Sequence, residues 1–195
     1  SAGSIAFANA STTSPSGAAI TIADSTASLN YTGNVTQANN AALLAVLNHS
    51  GGTIAFQGGT LDATNGTGLQ FDNADGTYNF NGTTTLNGGN AGIDILNGSS
   101  GSFAFANASI TSPTGAAITI ADSMASLSYI GSVTQANNAA LLSIINHSGG
   151  TIAFQGGTLG ATNGAGLQFD NADASYAFNG TTTLNGGDAG IDILN

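Results

Sequence analysis

Pairs of apolar residues two positions apart return along this sequence every 24 or 25 residues, in two columns that keep the same step. The first column is Ile5/Phe7, Leu29/Tyr31, Ile54/Phe56, Tyr78/Phe80, Phe103/Phe105, Leu127/Tyr129, Ile152/Phe154 and Tyr176/Phe178. The second is Ile20/Ile22, Leu44/Val46, Leu69/Phe71, Ile93/Ile95, Ile118/Ile120, Leu142/Ile144, Leu167/Phe169 and Ile191/Ile193. Residues two apart share one face of an extended strand. A unit this short cannot bury its own apolar row, so a constant return distance requires each coil to stack on the next.

A longer repeat contains the short one. Shifting the chain by 98 residues superposes 1–97 on 99–195 without a gap, with 80 of 97 positions identical. The domain organisation follows: residues 1–98 form the first unit of four coils, residues 99–195 the second, in one continuous solenoid. Two polar columns keep the same period. One holds Asn9, Gly33, Gly58, Gly82, Asn107, Gly131, Gly156 and Gly180, the residue types that best tolerate left-handed backbone, so the chain is expected to turn alike there in every coil. The other holds Asp24, Asn48, Asn73, Asn97, Asp122, Asn146, Asn171 and Asn195. These residues either form a hydrogen-bonded side-chain ladder along the stack or serve simply as turn residues. Between the apolar pairs, Val35, Leu61 and Leu86, with Thr12 aligned to Ile110, mark a third short strand of variable phase.

The expected fold is therefore all-β: a right-handed parallel β-helix (β-solenoid) of about eight coils, 24–25 residues each. Ile54 and Phe56 should point inward and Ala55 outward. Two alternatives compete. Asn65-Gly66, Asn81-Gly82, Asn87-Gly88 and Asn97-Gly98 suit tight hairpins, hence an antiparallel sandwich. The run Asn39–Asn48 has helical propensity, allowing a helical turn at Asn40–Leu43 beside a strand at Leu44–Val46.

The bracketed strand Gly52-Thr53-Ile54-Ala55-Phe56-Gln57-Gly58-Gly59 resembles the repeats of bacterial autotransporter passengers and filamentous-haemagglutinin-type exoproteins. That resemblance implies a right-handed β-helix, display at the cell surface or secretion, and often an adhesin role. It carries over no catalytic or receptor-binding residue.

Charge narrows the function. The chain has no Lys, Arg, Cys or Trp, and its ten acidic residues are all Asp, giving a net charge of -10. Nucleic-acid binding and adhesion to anionic membranes both need cations that are missing. The longest apolar run, Ala41–Leu47, is too short to span a bilayer, so no membrane insertion is expected. A hydrophobic content of 41% separates the chain from disordered sequences. The start at Ser1 suggests a piece of something longer.

The candidates for chemistry are few. Asp72 and Asp75, repeated as Asp170 and Asp173, are the candidate carboxylate pairs for glycoside hydrolysis, and with Asn73 they offer oxygens to calcium. They read instead as solvated turn residues. Asp24 and Asp122 cap turns, and Asp94 and Asp192 face outward. His49 and His147 lie four coils apart, roughly 19 Å, too far to share a metal, and are expected to be exposed turn residues. The sequons at Asn34, Asn65 and Asn81 are what an Asn- and Thr-rich chain produces by chance, and Thr83-Thr84-Thr85 suggests an ice-ordering face only if it recurs in every coil, which it does not. No catalytic, cofactor-binding or metal-binding residue is assigned, no cofactor is expected, and the chain is read as not an enzyme.

The expected role is a structural segment of a secreted or cell-surface β-solenoid, as fibre, stalk or adhesin. Its expected partners are further copies of itself, stacked end to end, and secondarily host or environmental glycans. Recognition of a glycan or protein as an adhesin module is the alternative, followed by degradation of a polysaccharide.

Overall fold

A computed structural model of the chain describes residues 1–90, 92–188 and 190–195. The first unit carries β1 (Ser4–Thr13), β2 (Ile20–Ser25), β3 (Ser28–Gln37), β4 (Leu44–His49), β5 (Thr53–Gly58), β6 (Thr60–Ala63), β7 (Leu69–Ala74), β8 (Thr77–Phe80), β9 (Thr83–Asn87) and β10 (Ile93–Leu96). The second repeats the pattern as β11 (Ser102–Thr111), β12 (Ile118–Ser123), β13 (Ser126–Gln135), β14 (Ala140–His147), β15 (Thr151–Gly156), β16 (Thr158–Ala161), β17 (Gly166–Ala172), β18 (Ser175–Phe178), β19 (Thr181–Leu184) and β20 (Ile191–Leu194). No helix occurs among the described residues.

Every strand pairing is parallel, which rules out the hairpin sandwich. Eight strands, one per coil, form the sheet β2-β4-β7-β10-β12-β14-β17-β20. The other sheet has twelve, because β1, β3, β11 and β13 run unbroken around a corner that the remaining coils divide into two short strands. The fold is a parallel β-solenoid of about eight turns.

The two apolar columns form the core. Ile54, Phe56, Leu44, Val46, Tyr78, Phe80, Ile93 and Ile95 are all buried. One ring per coil builds a single aromatic column: Phe7, Tyr31, Phe56, Phe80, Phe105, Tyr129, Phe154 and Phe178, with successive centroids 4.4 to 5.8 Å apart. Such ring pairs add to the burial of their own area. Ala55, expected to face solvent, is only 4% exposed. Its neighbours in register on the adjacent strands are Asn30 and Asn79.

The third strand varies in phase as expected. Val35 pairs with Leu61, but Leu61 then pairs with Thr84, while Leu86 lies opposite Ala63 and Ile110. The apolar row thus steps two residues along the strand, and Thr84 fills the vacated core position at 2% exposure. No helical turn forms at Asn40–Leu43, where the chain bends directly into β4. Burial of Leu43 and Leu44 outweighs local propensity there.

The two turn columns behave differently. Asp24, Asn48, Asn73, Asn97, Asp122, Asn146 and Asn171 all adopt left-handed φ between 48° and 53°. The glycine column is not uniform, contrary to expectation. Asn9, Gly33 and Gly131 have positive φ, but Gly58, Gly82, Asn107, Gly156 and Gly180 do not. Between β5 and β6 and between β15 and β16 the left-handed residue is the second glycine, Gly59 or Gly157, whereas the breaks at Gly82 and Gly180 have no left-handed residue. The corner is a continuous bulged strand in some coils and a true break in others, so it needs two geometries.

Candidate functional site

The Asn and Asp column forms a hydrogen-bonded ladder in two runs. The Asn48 amide donates to Asp24 Oδ1 at 2.9 Å, and the Asn73 amide donates to Asn48 Oδ1 at 3.1 Å. The second unit repeats this: Asn146 donates to Asp122 at 2.8 Å and Asn171 to Asn146 at 3.0 Å. Each run stops after three coils: the Asn97 amide, next in line to donate to Asn73, turns to Asp72 Oδ2 at 2.9 Å instead. Left-handed backbone and stacked side chains therefore share these positions.

His49 and His147 are not exposed turn residues. Both are 0% exposed. His49 Nε2 lies 2.9 Å from the Ala27 carbonyl and Nδ1 lies 2.7 Å from the Tyr78 hydroxyl. A carbonyl only accepts, so Nε2 carries the proton and the Tyr78 O–H donates to Nδ1. The Tyr78 oxygen in turn accepts the Gly76 N–H at 3.3 Å. The second unit matches, with His147 Nε2 at 2.9 Å from the Ala125 carbonyl and Nδ1 at 2.8 Å from the Tyr176 hydroxyl. Burial lowers the His147 pKa from its ordinary value, opposed by the Ala125 hydrogen bond. Burial likewise pushes the Tyr78 and Tyr176 phenols upward. Ala74, beside His49 on β7, leaves room for the ring. This packing is a structural pin between coils. A histidine 29 positions before a tyrosine, repeated in both units as His49/Tyr78 and His147/Tyr176, was the one available sequence signal for it.

Two of the candidate carboxylates accept hydrogen bonds from the next coil. Asp72 accepts from Asn97, and Asp75 Oδ1 accepts both the Ser100 N–H at 3.0 Å and its hydroxyl at 2.8 Å. Asp170, in strand β17, and Asp173, just after it, are exposed. Asp94 is half-buried, accepts from the Gln70 amide at 2.9 Å, and has its pKa raised by burial. Its equivalent Asp192 is exposed on the last strand. No cluster of three metal-ligating side chains occurs among the described residues. Asn34, Asn65 and Asn81, the sequon asparagines, hydrogen-bond to Thr60, Gly66 and Gln57. Thr84 is buried, so Thr83-Thr84-Thr85 does not present a flat threonine face.

Sequence reading also missed buried Gln37 and Gln135, each 1% exposed. The Gln37 amide donates to the Gly17 carbonyl at 2.8 Å and its oxygen accepts the Asn39 N–H at 3.0 Å. Gln135 does the same with Gly115 and Asn137. No buried side-chain polar atom among the described residues lacks a partner.

Two surfaces differ from this satisfied exterior. In the first coil Ile5 and Phe7 are each 49% exposed, and in the last coil Ile191 and Ile193 are 60% and 79% exposed. Of the thirteen Phe and Tyr rings, ten are buried, and the other three, Phe7, Tyr176 and Phe178, belong to these two coils. The apolar edges of the end coils are the candidate functional surfaces. Comparison with protein-family models, curated proteins and solved structures finds no match. The class of protein that the fold defines is the β-solenoid, as in β-helical repeat proteins.

Proposed function

We propose that this chain is a structural segment of a secreted or cell-surface repetitive β-solenoid, a rod serving as fibre, stalk or adhesin shaft, whose ends stack on further copies of the same repeat. The observation that carries the reading is the core's continuity across the boundary between units. Strands β8, β9 and β10 of the first unit pair with β11 and β12 of the second just as coils pair within a unit. The repeat thus extends by simple addition, each coil lengthening the rod by about 4.8 Å and eight coils by roughly 40 Å. The likeness to autotransporter passenger and filamentous-haemagglutinin-type repeats supports display outside the cell.

The exterior suits a stalk better than a catalyst or a lectin. The close carboxylates Asp72 and Asp75 are engaged by hydrogen bonds from the next coil, and its aromatic rings, the usual platforms for sugars, lie inside or at the stack ends. Antibodies to the folded chain test the placement: intact cells should label before permeabilisation. Labelling only after permeabilisation rejects surface display. Binding on a glycan array would make the segment an adhesin module, and depolymerisation of a polysaccharide would make it an enzyme.

A further inference from the structure

From the joint between the two units, we infer the register in which a second copy of this chain docks: its first coil adds to the last coil of the preceding copy, head to tail. The inference rests on the rod reading and specifies its contact. The molecule holds one instance of this joint. There Tyr78 pairs with Phe103 and Phe80 with Phe105 on one face, while Ile93 pairs with Ile118 and Ile95 with Ile120 on the other. Moving each side by one 98-residue unit predicts Tyr176 on Ile5, Phe178 on Phe7, Ile191 on Ile20 and Ile193 on Ile22.

The residues at this second joint are nearly those of the first. Of the eight partners, seven keep their identity, and only Phe103 becomes a smaller apolar residue, Ile5. In the internal joint these groups are buried, and Phe80 and Phe105 stack at 4.4 Å. At the two ends the same positions lie bare or half-bare. Docking therefore covers apolar surface and pairs two rows of open backbone groups at once. The outward residues agree: Asp192 falls beside Thr21, as Asp94 lies beside Thr119. The internal joint gives no precedent for a ladder bond across it, because the Asn97 amide donates to Asp72 rather than to Asp122.

Head and tail are different surfaces, so the contact is heterologous. Because each copy continues the axis of the last, it yields an open filament with no closed ring.

The test uses residues 1–195 with a head-blocked variant, Phe7→Asp, and a tail-blocked variant, Ile193→Asp, each checked for β-sheet circular dichroism. If Phe7→Asp unravels the first coil, Ile5→Asn replaces it. In sedimentation velocity the unmodified chain should show species that grow with concentration, visible as filaments by electron microscopy. Each variant alone should give a single monomer peak. An equimolar mixture should give a heterodimer, because one variant keeps its tail and the other its head. A dimer from either variant alone means like-to-like docking and overturns the register. A mixture that stays monomeric, or variants that polymerise like the parent, overturns it too. A monomeric parent chain rejects docking between separate copies but leaves surface display, read by cell labelling, untouched.

Discussion

Phe80 and Phe105 stack with ring centroids 4.4 Å apart and planes 3° from parallel, joining the last coil of one unit to the first coil of the next. This is the closest step of the eight-ring column. Stability in stacked repeats is approximately a sum of repeat and neighbour-interface terms, so damage here should act on the interface between units. Phe80→Ala removes a ring 1% exposed and should cost about 3–5 kcal/mol. Urea unfolding followed by tyrosine fluorescence should change from one transition to two. A single transition at an unchanged midpoint would show that this ring pair does not couple the units.

Adjacent glycines at the corner should respond in opposite ways. A Cβ at Gly156 meets nothing within 4 Å, and its φ is not left-handed. A Cβ at Gly157 would sit 1.9 Å from the Gly131 carbonyl oxygen, at φ +85°. Gly156→Ala should be neutral or stabilise by up to about 1 kcal/mol, by restricting the unfolded chain. Gly157→Ala should shift the melting temperature sharply downward or prevent folding. Equal shifts for the two variants would refute the assignment of the turn to the second glycine.

The Asn ladder combines backbone geometry with a side-chain bond, and one position separates them. Asn73 has φ 52° and donates to Asn48 at 3.1 Å. Asn73→Gly loses the bond but keeps an easy left-handed residue. Asn73→Ala loses both, and the left-handed conformation costs a residue with a Cβ roughly 1–2 kcal/mol. Alanine should therefore be the more damaging substitution by about 1 kcal/mol in thermal or urea melts. Equal losses would mean that the ladder bond dominates.

Buried His147 should make stability depend on pH. Burial lowers the His147 pKa in the folded protein, so between that value and the ordinary one the unfolded chain binds more protons. The contribution is fully present above about pH 6.5 and is lost as pH falls through the window below it. Protonated His147 would also turn a donor toward the Tyr176 hydroxyl that now donates to it. Melting temperatures should fall between pH 8 and pH 5, and His147→Gln should flatten that slope while lowering stability at pH 8. An unchanged slope would place the titration elsewhere.

Periodicity made most of the fold legible. Ile54, Phe56 and their equivalents are inward because a two-residue step fixes their side of the strand, and a constant return distance fixes what lies above and below. The Asp24 to Asn171 column was readable as a turn because few residues with a Cβ tolerate left-handed φ. His49, Gln37 and Ala55 were misread or passed over, since their burial depends on neighbours supplied by other coils. His49 reaches Ala27 and Tyr78, and Gln37 reaches Gly17. No local pattern around a single polar residue reports such partners.

The sequence by itself determined the period, the two apolar columns, the coil count and the equivalence of the two units, because these depend on spacing along the chain. Only the tertiary structure decided which coils carry the corner as one bulged strand and which break it, with or without a left-handed glycine. It also decided that the ladder stops after Asn73 and which polar side chains enter the core. Those outcomes depend on contacts between coils, where partners from other coils, such as the Ala27 carbonyl and Tyr78 hydroxyl on His49 or Asp72 on Asn97, select among conformations that the local sequence leaves equally available.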